Sequence, residues 1–267
     1  MYGGIVLFDM QNNQVQYFSS PELYREKENL YLEVRRREGR VLPDELVKNL
    51  PNISNSHPSA REWKWRERSL DRLLNQLPES LTPKKSGPGS SQPKILDLGC
   101  GNGWMANRMA ENPNWDVWAT DLNETELEQG AQLFGRENLR FVYADVLEGD
   151  LPEKHFDLIV LAASVQYFPN LPTLLAELYK MLNAKGEIHV LDSSFYNNEV
   201  ERAAARQRTL AYYRKVGVPE MANFYHHHLW AEAEKLGAKN LNNALKIKIL
   251  QKIKWLAPLN WLRFASR

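Results

Sequence analysis

The chain has 267 residues and lacks several features that would assign it to a specialised class of protein. Cys100 is its only cysteine, which excludes intrachain disulfides and zinc sites built on several thiolates. It contains no apolar run of about 18 residues, and its N-terminus has neither the basic segment nor the cleavage site of a secretory signal. These absences predict a soluble protein of a reducing compartment, most simply the cytoplasm.

An excess of one charge is also missing. The formal net charge is +1, so no global field would attract nucleic acid, and a nucleic-acid partner is not expected. Hydrophobic residues make up 43% of the chain and charged residues 25%, as in ordinary globular proteins. The length fits one large domain, or a core with an added segment.

A segment rich in Pro, Gly and Ser over residues 83–93 predicts a linker. It separates an N-terminal extension, residues 1–82, from a domain over residues 94–267. The extension is expected to be mostly helical, with a hairpin at residues 3–18, a helix between Ser20 and Gly39, and a helix at residues 60–77.

From Lys94 onward, short apolar runs alternate with segments of helical periodicity. The predicted strands cover residues 94–98, 115–120, 139–143, 156–161, 186–191, 243–250 and 261–266. The predicted helices cover residues 103–112, 124–134, 172–182, 198–216 and 220–236. This alternation is typical of an α/β fold, here a doubly wound, mostly parallel sheet of seven strands that binds its ligand at the carboxyl ends of the strands.

The loop after the first of these strands is the most informative motif. Residues 94–104 read KILDLGCGNGW, with glycine at positions 99, 101 and 103. Glycine gives access to positive φ and leaves the backbone free of a side chain, so a ligand can lie against it. The dinucleotide fingerprint GxGxxG would need its third glycine where Trp104 stands, so the loop does not suit a pyrophosphate.

Acidic residues stand at the ends of three successive strands. Asp97 precedes the glycine loop, Asp121 closes the next strand, and Asp145 follows the third. A carboxylate about 20 residues beyond such a loop is placed to accept hydrogen bonds from both hydroxyls of a ribose, which favours Asp121. Each of the three also has a structural alternative, because Asp commonly accepts backbone N–H groups in turns.

These motifs, in this order, resemble those of class I S-adenosylmethionine (SAM)-dependent methyltransferases of the small-molecule type, over residues 94–195. The resemblance implies a Rossmann-like methyltransferase fold, SAM as the cofactor, and methyl transfer to oxygen, carbon or a small amine of a small organic acceptor. It also implies a cofactor site made of Asp97, Gly99, Cys100, Gly101, Gly103, Asp121, Leu122, Asp145, Val146 and Ala162. No partner histidine stands near Cys100 at readable spacing, so a nucleophilic role for its thiol is not predicted.

Two residues are candidate catalytic groups. Tyr167 lies in LAASVQYF, directly after the fourth strand, in a stretch that such enzymes often place against the substrate; packing in the core is the alternative. His226 begins a triplet of histidines and is a candidate general base, because a histidine pKa of about 6.5 suits proton transfer. Successive residues of a helix point in different directions, so no metal site is predicted, and one buried histidine between two exposed ones is the alternative.

The C-terminal segment, residues 245–267, alternates apolar side chains with Lys246 and Lys248 and then contains Trp255 and Trp261. The alternation favours a half-exposed strand. A basic amphipathic segment that touches a membrane or a lipid-like substrate is the alternative.

The sequence therefore predicts a SAM-dependent methyltransferase that acts on a small molecule by in-line displacement and has no membrane span. Three alternatives stay open: a SAM-binding regulator or scaffold without activity, a methyltransferase for protein or RNA, and an NAD-dependent oxidoreductase. The last is opposed by Trp104 and by the lack of a Tyr-x-x-x-Lys pair near the fifth strand. By analogy with the fold alone, the N-terminal extension is a possible lid, with Tyr24, Tyr31, Trp63 and Trp65 as candidates to line the pocket.

Overall fold

The computed structural model describes residues 14–77, 81, 92–148 and 151–266. Within them the strands are β1 (Gln16–Tyr17), β2 (Lys94–Leu98), β3 (Asp116–Asp121), β4 (Leu139–Tyr143), β5 (Phe156–Ala162), β6 (Leu182–Ser193), β7 (Phe195–Tyr196), β8 (His228–Leu229), β9 (Lys239–Asn240) and β10 (Asn260–Ala265). Eight of them form one sheet in the order β1-β4-β3-β2-β5-β6-β10-β9, and β7 pairs with β8. Strands β1 to β6 run parallel, whereas β10 is antiparallel to both of its neighbours. The mostly parallel α/β sheet is thus confirmed, with two-residue strands at both edges.

The helices flank this sheet. They are α1 (Arg25–Arg37), α2 (Asp44–Val47), α3 (Ala60–Leu74), α4 (Trp104–Met109), α5 (Glu124–Leu133), α6 (Leu171–Met181), α7 (Glu199–Val216), α8 (Trp230–Lys235) and α9 (Leu245–Lys252). Helix α5 begins as its sequence predicts, because the Asn123 side chain accepts the Glu126 N–H at 3.0 Å. Helix α1 begins later than expected. A 3₁₀ turn occupies Pro21–Leu23, and the Ser20 hydroxyl donates to the Glu22 carboxylate instead of capping the helix.

Strand residues alternate between two hydrophobic cores, one on each face of the sheet. Ile95 and Val117 belong to one core, and the adjacent Leu96 and Trp118 belong to the other. The first core also contains apolar side chains of the N-terminal segment, namely Val47, Leu50, Trp63, Leu70, Leu73 and Leu81. The N-terminal segment is therefore packed on one face of the sheet as part of its core.

Two predicted elements lie largely outside the described residues. Of the predicted hairpin, residues 14–18 are described, and Gln16–Tyr17 pairs parallel with β4 at the edge of the sheet. Of the predicted linker, only Gln92 and Pro93 are described.

Two predicted elements differ from the structure. Residues 243–250, expected as a strand, contain the start of α9, because β9 already occupies the edge beside β10 and the chain then turns away. A short alternation of apolar residues also fits a helix, in which Ile247 and Leu250 face inward together. The helix expected over residues 220–236 is interrupted, since β8 pairs with β7 between a 3₁₀ segment (Pro219–Phe224) and α8.

Candidate active site

A cavity lies at the carboxyl ends of the parallel strands, where α/β sheets bind their ligands. One side of it, here called the loop wall, consists of residues at the ends of the strands, in the loops after them and in the first turn of α5: Asp97, Gly99, Cys100, Gly101, Asp121, Leu122, Glu126, Asp145, Val146 and Ala162. The opposite side, called the helix wall, consists of Tyr31, Arg35, Arg40, Trp63 and Arg66 from α1, α3 and the chain between them. Nine of the ten residues expected to hold the cofactor therefore line one cavity, and Gly103 is the exception.

The three glycines of the loop all have positive φ, as a sharp exit from β2 requires. A side chain at each of the three positions would nevertheless meet different atoms. A Cβ on Gly99 would overlap with the Ser164 side chain, and one on Gly103 would lie 2.5 Å from the Phe141 ring. A Cβ on Gly101 would lie 3.1 Å from the Glu126 carboxylate. Close packing within the protein thus explains Gly99 and Gly103 without a ligand, whereas Gly101 faces the cavity.

Asp97 is buried at the end of β2, with 1% of its surface exposed. Its Oδ2 atom has no hydrogen-bond partner among the described residues, although buried carboxylate oxygens normally have one. Burial, together with the negative charge of Asp121, raises the pKa of Asp97 to about 7. The loop wall therefore contains a carboxyl group that a cationic ligand would stabilise in its ionised form.

Asp121 is held by the backbone of the glycine loop. Its Oδ2 accepts the N–H of Gly101 at 2.7 Å, and its Oδ1 accepts those of Leu122 at 2.7 Å and Asn123 at 3.0 Å. Burial raises its pKa, and these three hydrogen bonds oppose the increase. The carboxylate thus joins β3 to the loop after β2 and also faces the cavity.

The remaining loop-wall residues include one with a clear structural role. Asp145 accepts the N–H of Leu147 at 2.8 Å in a turn, and its own N–H donates to Ser19 at 2.8 Å. Val146 is fully buried behind it. Burial raises the pKa of the Cys100 thiol, so this cysteine is protonated and serves as a small side chain within the loop.

The helix wall depends on a contact that the sequence did not predict. The Trp63 ring on α3 packs edge-on against the Trp104 ring on α4, with centroids 5.4 Å apart and planes at 86°. This contact places α3 beside the glycine loop. Of the four aromatic residues considered for the pocket, Tyr31 and Trp63 line it, whereas Tyr24 packs near Tyr143 at 6.4 Å. Trp65 instead donates to the Lys254 carbonyl at 3.0 Å on the outer side of α3.

Arginine side chains dominate the charge of the helix wall. Arg66 donates to Glu62 at 2.8 Å, and Arg40 pairs with the same carboxylate. Arg35 donates to the Tyr31 hydroxyl at 2.6 Å, and its closest carboxylate, on Glu38, lies 3.6 Å away. Glu38 and Glu62 therefore neutralise part of the positive charge here, and Glu126 on the loop wall lies within electrostatic reach of all three arginines.

A second cavity continues from the helix wall and shares Tyr31, Arg35, Arg40, Arg66 and Tyr167 with the first. Its further lining includes Tyr196, Arg208, Thr209, Tyr212, Tyr213 and Tyr225. Tyrosine rings and guanidinium groups thus surround a space that opens directly from the gap between the two walls.

The two candidate catalytic residues have different positions. Tyr167 lies where the cavities meet, edge-on to Tyr31 at 5.8 Å and to Tyr225 at 6.0 Å, and burial raises its pKa. His226 is not among the lining residues of either cavity, and its N–H donates to the Gln166 carbonyl at 2.7 Å. Only Tyr167 is therefore placed to contact a ligand.

The other two histidines of the triplet have structural contacts. His228 is buried, with Nε2 3.2 Å from the Val165 carbonyl oxygen, and His227 Nε2 lies 3.0 Å from the Thr209 hydroxyl. Burial, with the neighbouring histidines, lowers the pKa of His227 to about 4. His226 and His227 are half-buried rather than exposed. Across the described ranges no group of three or more His, Cys, Asp or Glu side chains is placed to hold a metal ion.

Glu126 and Asp192 are cavity residues that were not predicted as functional. Glu126 lies in the first turn of α5, and burial raises its pKa to about 7, although Arg35 opposes the increase. Asp192 lies near the end of β6, and its Oδ1 accepts the Ser69 hydroxyl at 2.6 Å. An acidic residue near the carboxyl end of a strand was the available signal for Asp192, whereas Glu126 had none beyond its cap.

Residues 95–186 match the family described as a methyltransferase domain. The chain is 34% identical over 122 residues to an uncharacterized protein of Haemophilus influenzae, covering 43% of this chain and 48% of that protein. It is 28% identical over 114 residues to the ubiquinone/menaquinone biosynthesis C-methyltransferase of Cupriavidus necator, covering 41% and 47%. The chain spans about half the length of these curated relatives.

Solved structures share the fold at low sequence identity. The phosphoethanolamine N-methyltransferase 2 of Haemonchus contortus, in complex with SAM, has a TM-score of 0.52 and 15% identity over 85% of this chain and 60% of its own. The YcgJ protein of Bacillus subtilis has a TM-score of 0.52 and 14% identity over 75% and 99%. The resemblance to class I methyltransferases stated from the motifs is therefore confirmed.

Proposed function

We propose that this protein transfers a methyl group from SAM to a small organic acceptor that carries an anionic group. The match of residues 95–186 to the methyltransferase-domain family supports the transferase activity. One observation carries the proposal. A single cavity has carboxyl groups and glycine backbone on its loop wall and arginine and tyrosine side chains on its helix wall. The two walls thus suit two ligands of opposite charge.

The loop wall fits SAM in charge and in shape. The unpartnered Oδ2 of Asp97 suits an ammonium group, and Asp121 faces the cavity where ribose hydroxyls would lie. Leu122, which is half-buried, offers apolar surface for an adenine ring. When bound, SAM supplies a methyl group on a cationic sulfur, and the protein contributes alignment and the exclusion of water, of which alignment is worth about 7–11 kcal/mol of barrier.

The helix wall fits an anionic acceptor. Four guanidinium groups, of Arg35, Arg40, Arg66 and Arg208, line the second cavity beside two carboxylates, Glu38 and Glu62. The excess of positive charge in a partly buried space favours a carboxylate or phosphate, which arginine binds through paired hydrogen bonds. The tyrosine rings around it favour a planar or apolar body.

Glu126 is the best-placed group to receive a proton from the acceptor. A hydroxyl acceptor must lose its proton during transfer, and an efficient base has a pKa near the working pH. Glu126 lies beside Gly101 on the loop wall, within electrostatic reach of Arg35, with a pKa of about 7. Tyr167 is protonated because burial raises its pKa, so its phenol is a hydrogen-bond donor.

Calorimetric titration with SAM, S-adenosylhomocysteine and NAD tests the cofactor. We expect micromolar binding of both adenosyl compounds and none of NAD. Transfer of the methyl group from labelled SAM is then measured with para-hydroxybenzoate and with the neutral para-hydroxybenzamide as a matched control. We expect methylation of para-hydroxybenzoate and none of para-hydroxybenzamide. An Arg35→Gln variant should lose this methylation but should still bind SAM.

Each alternative predicts a different result. Binding of SAM without transfer to any small carboxylate or phosphate would favour a regulator or scaffold. Transfer to protein or RNA, but not to small acceptors, would favour a macromolecular substrate. Binding of NAD would favour an oxidoreductase, and equal transfer to the acid and the amide would contradict the anionic acceptor.

A further inference from the structure

Helix α9 and the two residues near its end present apolar side chains to solvent. The exposed fractions are 75% for Leu245, 52% for Ile249, 64% for Ile253 and 44% for Trp255. Leu245, Ile249 and Ile253 are spaced by four residues and therefore lie along one side of the helix. Single exposed apolar residues are common on protein surfaces, but an aligned row of them is not.

Lysines border this apolar row. Lys248 and Lys252 flank it on one side and Lys246 on the other, and Lys254 follows the helix. All four are exposed, and none forms an ion pair with any described residue. The sequence contains no Asp or Glu after Glu234. We call Leu245, Lys246, Lys248, Ile249, Lys252, Ile253, Lys254 and Trp255 the α9 surface.

The α9 surface is attached to the outer side of α3. The Trp65 indole donates to the Lys254 carbonyl at 3.0 Å, and the Arg68 guanidinium lies 4.1 Å from the centre of the Trp255 ring. The same helix carries Trp63 and Arg66 on its cavity side. Helix α3 thus separates the α9 surface from the helix wall of the cavity.

We propose that the α9 surface docks on an anionic lipid bilayer, with α9 lying in the interface between headgroups and acyl chains. Leucine and isoleucine side chains would enter the acyl boundary, the Trp255 ring would lie at the level of the headgroups, and the lysines would contact lipid phosphates. The helix would lie parallel to the bilayer and would not cross it. None of the helices that the structure describes is long and apolar enough to cross a membrane.

Charge distinguishes a bilayer from two other partners. In a symmetric pair of chains the same patch faces itself, so eight unneutralised lysine charges would be brought together. A nucleic acid would pair with the lysines but would leave the leucine and isoleucine row without an apolar partner. An anionic bilayer satisfies both parts of the α9 surface, and this proposal does not depend on the methyltransferase reaction.

Vesicle co-sedimentation of the full chain tests the proposal at about 0.15 M salt, where exposed charges interact over roughly 8 Å. We expect binding to vesicles of phosphatidylcholine with one quarter phosphatidylglycerol, and at least tenfold weaker binding to phosphatidylcholine alone. The double substitution Ile249→Ser and Ile253→Ser should abolish binding. Replacing Lys246, Lys248, Lys252 and Lys254 by Gln should weaken it by roughly several hundredfold, since each lysine near such a surface contributes about fivefold.

Val200→Ser is the matched control, because Val200 is 79% exposed but lies on α7 away from the α9 surface. It should bind vesicles as the unaltered chain does. All variants should keep the unaltered thermal midpoint, because the replaced side chains are exposed. Absence of sedimentation, or sedimentation that the serine variant retains, would overturn the proposal. A dimer that the serine variant loses, without vesicle binding, would assign the surface to a second copy instead.

Discussion

The loop wall and the helix wall enclose the same cavity, yet they are built in different ways. Asp97, Asp121 and Asp145 stand at or just beyond the ends of three strands, so the sheet itself brings them together. Arg66 lies on α3, which the packing of Trp63 on Trp104 holds beside the glycine loop. Arg35 lies on α1, which packs through Val34 against Tyr213 and Met221. One wall therefore follows from short motifs, and the other from contacts across the whole chain.

The walls also differ in charge. Burial raises the pKa of Asp97, Asp121 and Glu126 on the loop wall, which leaves carboxyl groups that a cation would help to ionise. The helix wall carries more guanidinium groups than carboxylates. A cationic methyl donor and an anionic acceptor would each meet the wall of opposite charge, which orients both before any reaction occurs.

The largest expected effect concerns the backbone of the loop wall. Gly99→Ala combines left-handed strain with overlap against Ser164, and we expect it to lower the free energy of unfolding by about 2–5 kcal/mol. Gly39→Ala is the matched control, because Gly39 also has positive φ but a Cβ added there would meet no atom within 4 Å. It should cost only the strain, about 1–2 kcal/mol. Urea unfolding of both variants measures the difference.

A third variant isolates the overlap. Ser164→Gly removes the atoms that a Cβ on Gly99 would meet, along with the hydroxyl that donates to the Leu98 carbonyl at 2.7 Å. In a double-mutant cycle, Gly99→Ala should be less destabilising in the Ser164→Gly background. If Gly99→Ala and Gly39→Ala lower the free energy of unfolding equally, the glycine loop has room for a side chain at position 99. The inference that Gly99 packs tightly against Ser164 would then be wrong.

The sequence predicts the loop wall well because its signals are local. Strand β2 and the helix cap at Asn123 follow from residues within a few positions of one another, and so does the glycine loop. The same motifs do not reveal that Ser164 and Phe141 require two of the glycines, because those contacts join distant segments.

The arginines of the helix wall and the helix at Leu245–Lys252 were not predicted, for the same physical reason, although Tyr31 and Trp63 were expected as pocket residues. Arg35 and Arg66 look like ordinary surface residues of amphipathic helices until α1 and α3 pack against distant segments of the chain. Five alternating residues near Lys246 fit a strand or a helix equally, and the decision depends on whether a sheet edge is available. Long-range packing decides both cases.

A medium effect concerns the charge of the loop wall. In the proposed site the ammonium group of SAM needs an ionised Asp97, whose pKa is about 7, so the affinity for SAM should rise as the pH increases through that value. Between pH 6 and pH 7 we expect about a fivefold gain in affinity by calorimetry, before the α-amino group of SAM, with a pKa of about 7.7–8.0, loses its own proton. Asp97→Asn should bind SAM more weakly at pH 8 and should have lost most of this pH dependence.

Proton release upon binding gives an independent measurement. Near pH 6.5, binding to the unaltered chain should release protons, which titrations in buffers of different ionisation enthalpy detect. If the number of protons released upon binding is unchanged in Asp97→Asn, the titrating group is Glu126 or Asp121 instead, since the pKa of each is also raised by burial.

The smallest expected effects compare the two residues first considered as catalytic. Tyr167 lies where the loop wall and the second cavity meet, so Tyr167→Phe keeps its ring contacts with Tyr31 and Tyr225 and removes one hydrogen-bond donor from the site. We expect kcat/KM to fall about 2–10-fold, the usual contribution of one such bond.

His226→Ala should change kcat/KM less than about twofold, because the imidazole lines neither cavity and the backbone N–H that contacts Gln166 remains. A larger loss for His226→Ala than for Tyr167→Phe would mean that the reacting groups lie outside the space between the two walls, and the division of donor and acceptor between those walls would be wrong.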